Sequence, residues 1–232
     1  MRLNTCLLAV ALGVAALPSF ATPVSGTVDG SWVNPDPSGS PVVVSGVGTS
    51  TFAWGVPDGT AANSVKFDNG GGNFTSSTET AFKVGTIAYF NGSTNSGTSP
   101  DSVQLALTLD FADPALGPVT SNYTFNIVST SNTDDPDASA DFLGLPTAFS
   151  TTSFLIGGTT YDVKLTGFSD IVGDGFLSSD DTALHVREGG TASADLFAEV
   201  TTQTAAVPEP RNMVLMFAGL GMIGVLARRR RG

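Results

Sequence analysis

Apolar and polar residues alternate along much of this chain with a period of two. In SVQLALTLDF, Val103, Leu105, Leu107, Leu109 and Phe111 fall on one face, with Ser102, Gln104, Thr108 and Asp110 on the other. Successive side chains of an extended strand point to opposite sides, so this run predicts a strand with one buried face. SNYTFNIVST repeats the scheme with Tyr123, Phe125 and Ile127. SFLIGGTTYDVKLTGF sets Phe154 and Ile156 before Gly157-Gly158, and Tyr161, Val163 and Leu165 after it. A glycine pair tolerates the positive φ angles of a tight turn, so this segment predicts a hairpin. Further strands are predicted at 49–54, 64–67, 82–90, 184–186 and 196–200. Between residues 22 and 206 no stretch of helical length carries a 3.6-residue apolar period. Many short alternating strands in one unit predict an all-β fold, an antiparallel, jelly-roll-like β-sandwich.

The two ends break this pattern. Residues 213–227, Met213 to Ala227, form an uncharged run rich in Leu, Met, Gly and Ala, followed by Arg228, Arg229, Arg230 and Arg231. As a helix the run is about 22 Å long, against a hydrocarbon core of roughly 30 Å. Snorkelling arginines and local thinning absorb such a mismatch. The arginines hold their end in the cytoplasm, which places the preceding chain across the membrane. The N-terminus matches that topology: Arg2 is a short basic region, residues 7–17 are apolar, and Ser19-Phe20-Ala21 puts small residues at −3 and −1 of a cleavage site after Ala21. Cys6 precedes the apolar stretch, so it is not the modified cysteine of a lipoprotein signal.

Ahead of the apolar run stand Pro208, Glu209 and Pro210, then Arg211; the run itself contains Gly219-Leu220-Gly221. With the terminal arginines, this order resembles the PEP-CTERM sorting signal, over residues 206–231. The resemblance implies that an exosortase-type membrane enzyme recognises Pro208-Glu209-Pro210 and processes the chain during export. It also implies a surface or matrix protein of a Gram-negative bacterium that makes exopolysaccharide. The expected division is a signal peptide at 1–21, a β-domain at 22–206 and a sorting signal at 207–232.

Charge sharpens the picture of the middle. Residues 22–206 hold four basic residues, Lys66, Lys83, Lys164 and Arg187, against twenty acidic ones, a formal charge of −16. Such a domain repels nucleic acid and anionic polysaccharide and attracts divalent cations or basic partners. The sole cysteine lies in the signal peptide, so no disulfide braces the domain.

Catalytic signatures are few. His185 is the single histidine, with no cysteine or second histidine to share a metal or activate a nucleophile. No serine has glycine at both −2 and +2, and no lysine follows a glycine, which removes the nucleophile elbow and the P-loop. Two acidic loops offer the oxygen ligands calcium takes. One, NTDDPDASAD, holds Asn132, Asp134, Asp135, Asp137 and Asp141; the other, SDIVGDGFLSSDD, holds Asp170, Asp174, Asp180 and Asp181. Neither has EF-hand spacing, and aspartates in such segments also serve as solvated turn formers. Asn73, Asn91 and Asn122 begin glycosylation sequons in form. Trp32, Trp54, Tyr89 and Phe90 fit either a sugar-binding platform or a packed core.

The pieces GSWVNP, GVGTSTFAWG, SVKFDNGG, AFKVGTIAYFNGSTNSGT, VQLALTLDF and NYTFNIVSTSNT follow one another in an order that resembles the choice-of-anchor K domain of bacterial surface proteins. That resemblance runs from about Gly26 to about Val200 and implies an extracellular β-rich domain, with no catalytic residues to carry over. The expected function is a non-enzymatic, exported protein of the cell surface or exopolysaccharide matrix. The alternatives are a carbohydrate-binding module and a polysaccharide-active hydrolase, which needs only two facing carboxylates.

Overall fold

The computed structural model describes residues 21–59, 61–179 and 182–204. These form fourteen strands: β1 (Pro23–Asp36), β2 (Val44–Ser45), β3 (Thr51–Trp54), β4 (Asn63–Asp68), β5 (Asn73–Ser77), β6 (Phe82–Phe90), β7 (Ser102–Asp113), β8 (Gly117–Val128), β9 (Asp141–Gly144), β10 (Thr151–Ile156), β11 (Thr159–Val172), β12 (Phe176–Ser179), β13 (Ala183–Val186) and β14 (Thr191–Thr204). They build two seven-stranded sheets, β12-β13-β9-β8-β7-β1-β5 and β10-β11-β14-β6-β4-β3-β2, with antiparallel pairing throughout. The all-β expectation holds, and the two antiparallel sheets around one core are consistent with a β-sandwich.

Alternation explains the layering. Val103, Leu105, Leu107, Leu109 and Phe111 of β7 are all buried, as are Tyr123, Phe125 and Ile127 of β8. Opposite them the second sheet contributes Val65, Phe67, Ile87, Val163, Leu165, Leu196 and Val200 to the same cluster. Two aromatic pairs cross from sheet to sheet. Phe74 of β5 stacks on Phe82 of β6 with ring centroids 4.7 Å apart, and Phe125 of β8 meets Phe168 of β11 edge to face at 5.9 Å. Such pairs add to simple burial because ring faces and edges carry opposite partial charge. The long strands bend at register shifts: Ser25/Gly26 in β1, Leu165/Gly167 and Ser169/Val172 in β11, and Leu196/Phe197 in β14. Each bulge increases the local twist, which lets fourteen-residue strands curl around the core.

Both ends of the domain emerge together. Thr78 donates its N–H to the Thr22 carbonyl and accepts from Thr22 N, while Glu79 N–H reaches the Val200 carbonyl. Glu79 Oε1 in turn accepts from Thr202 N at 2.7 Å. The opposite end of the sheets, where β7 and β14 begin and β6 and β8 finish, carries the polar cleft described below. The expected sorting motif at 208–210, the apolar run at 213–227, the arginines at 228–231 and the expected signal peptide up to Phe20 lie outside the described residues. Among the described residues no helix is long and apolar enough to cross a membrane.

Candidate functional site

At the end opposite the start of β1 and the finish of β14, three loop segments and the start of β9 line a cleft of about 480 Å³. Asp58 enters from the β3–β4 connection, Thr94, Ser96, Ser99 and Asp101 from the β6–β7 loop, Thr130 and Asn132 from the β8–β9 loop, and Asp141 from the start of β9. The walls are mostly hydroxyl, amide and carboxylate groups.

Buried amides hold this end in shape. Asn63, fully buried, accepts from Gly92 N at 2.8 Å and donates Nδ2 to Thr94 Oγ1. Asn91 donates Nδ2 to the Val186 carbonyl at 2.9 Å and to the Ser139 carbonyl. Asn91 is thus buried and bonded inward, so its sequon is not an accessible glycan acceptor, whereas Asn73 and Asn122 are exposed. Asn132 ties the β8–β9 loop to the β6–β7 loop, donating Nδ2 to Ser93 Oγ and to the Thr94 carbonyl, both at 3.0 Å.

Asp141 is the unusual member. It is 5 % exposed, and its Oδ1 accepts from Thr130 N at 2.6 Å and from Thr130 Oγ1 at 3.2 Å. Burial pushes its carboxyl up to about 6; the two Thr130 bonds oppose that rise, and the nearby Glu188 charge adds to it. The native carboxyl therefore stays protonated to higher pH than in the unfolded chain, where it ionises near 3.8. The stability this group contributes is fully present below 3.8 and is lost as pH rises through about 6. Asp141→Asn keeps an oxygen acceptor for Thr130 without the charge. Its stability relative to the native sequence is expected to rise by about 1–3 kcal/mol between about pH 4 and about pH 7, after allowance for screening at the cleft. Urea denaturation across that range measures the difference; a constant difference contradicts the assignment.

The aromatic candidates divide differently. Trp32, Trp54 and Tyr89 are at most 1 % exposed and belong to the core, while Phe90 is half-buried. Phe52, Trp54 and Tyr89 form a stack, with Trp54 and Tyr89 nearly parallel at 5.8 Å. Trp54 Nε1 and Tyr89 Oη are buried without a hydrogen-bond partner among the described residues. Burial, and then the Asp141 charge, push the Tyr89 hydroxyl well above its usual range. No sugar platform is made from these rings, because they are the filling between the sheets.

The two acidic loops are built as turns. Asp135 Oδ1 caps the backbone of Asp137 at 3.0 Å, and Asp137 pairs with Arg187 at 3.1 Å. Asp134 is exposed beside them. Asp174 Oδ1 accepts from Thr191 Oγ1 at 2.8 Å and from Thr191 N, which holds its carboxyl below the usual value. Asp170 sits at a positive φ of 53° and accepts from Ser169 Oγ. Asp180 and Asp181 lie outside the described residues. Among the described residues no three His, Cys, Asp or Glu side chains come together as a metal-binding group. His185, in β13, stacks face to face on its cross-strand neighbour Phe142, with centroids 4.0 Å apart.

Sequence spacing pointed to the loops around 134–137 and 170–174; the cleft was missed apart from Asn132 and Asp141. Its only local signal is the density of Ser, Thr and Asn between 91 and 101. No protein-family model matches the chain, and no curated protein matches it.

Proposed function

We propose that the chain is an exported, non-enzymatic protein of the cell surface or exopolysaccharide matrix of a Gram-negative bacterium, sorted by a PEP-CTERM-type tail and cut by an exosortase-type membrane enzyme. Its middle is read as a jelly-roll-like sandwich of the choice-of-anchor K type. The observation that carries this reading is the pair of export signals flanking the β-body: β1 begins at Pro23, just after Ala21, and β14 ends at Thr204, shortly before Pro208. The apolar run 213–227 holds the chain in the membrane until processing, with Arg228 to Arg231 on the cytoplasmic side. Intact-mass measurement on the surface form is expected to show loss of residues 1–21 and of the arginine-bearing tail. Retention of Arg228 to Arg231 on mature surface protein contradicts the sorting reading.

The cleft favours a second reading, a carbohydrate-binding module. Asp58, Asp101, Ser96, Ser99 and the amide oxygen of Asn132 line it with acceptors and donors of the kind that sugar hydroxyls pair with. Under it, a glycan array probed with the exported protein gives binding that Asp101→Ala removes, with no release of reducing sugar. Release of reducing sugar that Asp141→Asn abolishes establishes the polysaccharide hydrolase instead. No cofactor enters either reading; calcium, the one candidate, rests on Asp134, Asp135, Asp137, Asp170 and Asp174 in loops whose bonds already serve their own turns.

A further inference from the structure

The end of the domain at which β14 finishes carries exposed aliphatic side chains. Thr204, the last residue of β14, pairs with Thr159, which pairs across the hairpin with Ile156. Leu155 and Ile156 stand at the tip of that hairpin, beside Gly157-Gly158, and are 74 % and 37 % exposed. Scattered apolar residues on a surface are ordinary. Here two neighbours lie in a charge-free tract, for residues 151–161 and 200–208 contain no ionisable side chain save Tyr161. Longer charge-free tracts occur at 37–57 and 114–133, but this one meets the end of β14. The next acid along the hairpin, Asp162, has both oxygens engaged, Oδ1 by Ser153 Oγ and Oδ2 by Gln203 Nε2. Glu79, nearby, is bonded to Thr202.

Chain length fixes the neighbourhood. The eight residues from Ala205 to Asn212 reach at most about 28 Å. The tip is therefore close to whatever surface receives Met213. Phosphatidylglycerol-bearing membranes repel carboxylates and accept exposed aliphatic side chains at their interface. Thr22 is at this same end through its bonds to Thr78, so β1 begins and β14 ends on one side. The cleft is at the other, a β14 length of about 45 Å away.

We propose that the β10–β11 hairpin tip, with Leu155 and Ile156 foremost, rests in the interfacial layer of the membrane that holds the tail. The domain then stands on this corner of the second sheet, with its acidic cleft directed outward and Pro208-Glu209-Pro210 held at the bilayer surface. The proposal rests on the sorting reading, and its test separates the two. The full chain carrying Cys6→Ser is placed in vesicles of phosphatidylethanolamine with a minority of phosphatidylglycerol, some acyl chains brominated. An environment-sensitive dye is attached in turn through Leu155→Cys, Ser96→Cys and Gly219→Cys. Ser96 is exposed at the cleft. Bromolipid is expected to quench the dye at 155 and at 219 several-fold more than at 96. Quenching at 219 with 155 as unquenched as 96 overturns the membrane contact and leaves the anchor standing. No quenching at 219 overturns the anchor and this proposal together. A blue-shifted dye at 155 that bromolipid does not quench marks a second copy or another protein on the tip, which also overturns it.

Discussion

Leu107→Asp is expected to abolish folding, while Thr108→Asp, one residue along the same strand, leaves the domain folded. Leu107 is 2 % exposed, and its strand β7 is flanked on both sides, with Gly30 and Ser121 as its cross-strand partners. A carboxylate there enters the buried cluster of aliphatic and aromatic side chains, and Lys164, which lines the small cavity beside Leu107, is itself exposed. The cost of burying it is several kcal/mol, against a total stability of about 5–15 kcal/mol for an ordinary domain. No disulfide limits the loss, because the only cysteine is Cys6. Thr108 points the other way and shares a hydroxyl contact of 2.8 Å with Thr120 at an exposed position. Circular dichroism and urea titration read both variants. A folded Leu107→Asp would mean that β7 faces the opposite way.

The second large effect is expected where Phe67 packs against Gly30 of the opposite sheet. A Cβ on Gly30 of β1 falls on the Phe67 ring of β4, meeting Cδ1 and lying 2.6 Å from Cε1. A Cβ on Gly85 of β6 meets the same ring from its other edge, at 2.5 Å from Cζ. Phe67 is therefore seated between two glycines, one in each sheet; the approach of the sheets here depends on Gly30 lacking a side chain, and the seat of the ring on its own sheet depends on Gly85. Gly30→Ala is expected to cost about 1–3 kcal/mol by overpacking. Phe67→Ala leaves a cavity and costs about 3–5 kcal/mol. In the Phe67→Ala background the Gly30→Ala cost falls to within about 0.5 kcal/mol of zero, since the methyl then enters vacated space. Chemical denaturation of the four proteins completes the cycle, and additive costs refute the wedge.

Several elements could be read directly because their buried faces are filled by large apolar side chains at every second position. β7, β8 and β6 are of this kind, whereas the β10–β11 hairpin was legible from its glycine pair, since β10 has no buried position. β1 was not legible over its length. Its buried positions include Gly30 beside Val24, Val28 and Trp32, and glycine adds no apolar signal although it is essential to the close approach of Phe67. β9 was missed for a related reason: one of its two inward positions is Asp141, a polar residue that the sequence pattern assigns to a loop. Its burial depends on Thr130, eleven residues earlier, turning its N–H and hydroxyl onto the carboxylate.

For this protein the sequence alone determined the all-β class, the faces of the long strands, the acidity of the middle and the contrast between that middle and its two ends. All of these are local properties, set by side-chain period and by charge per length. The tertiary structure decided which equal-looking residues do what. Trp54 and Tyr89 became core and not a binding platform because β3 and β6 face the opposite sheet. Asp141 became a buried group beside Asp58 and Asp101 because strands distant in the chain end at the same place. Leu155 and Ile156 stayed exposed at the corner that releases the tail because β10 is an edge strand and its hairpin tip has no sheet opposite. Pairing between distant segments sets such proximity, and no period within a short window records it.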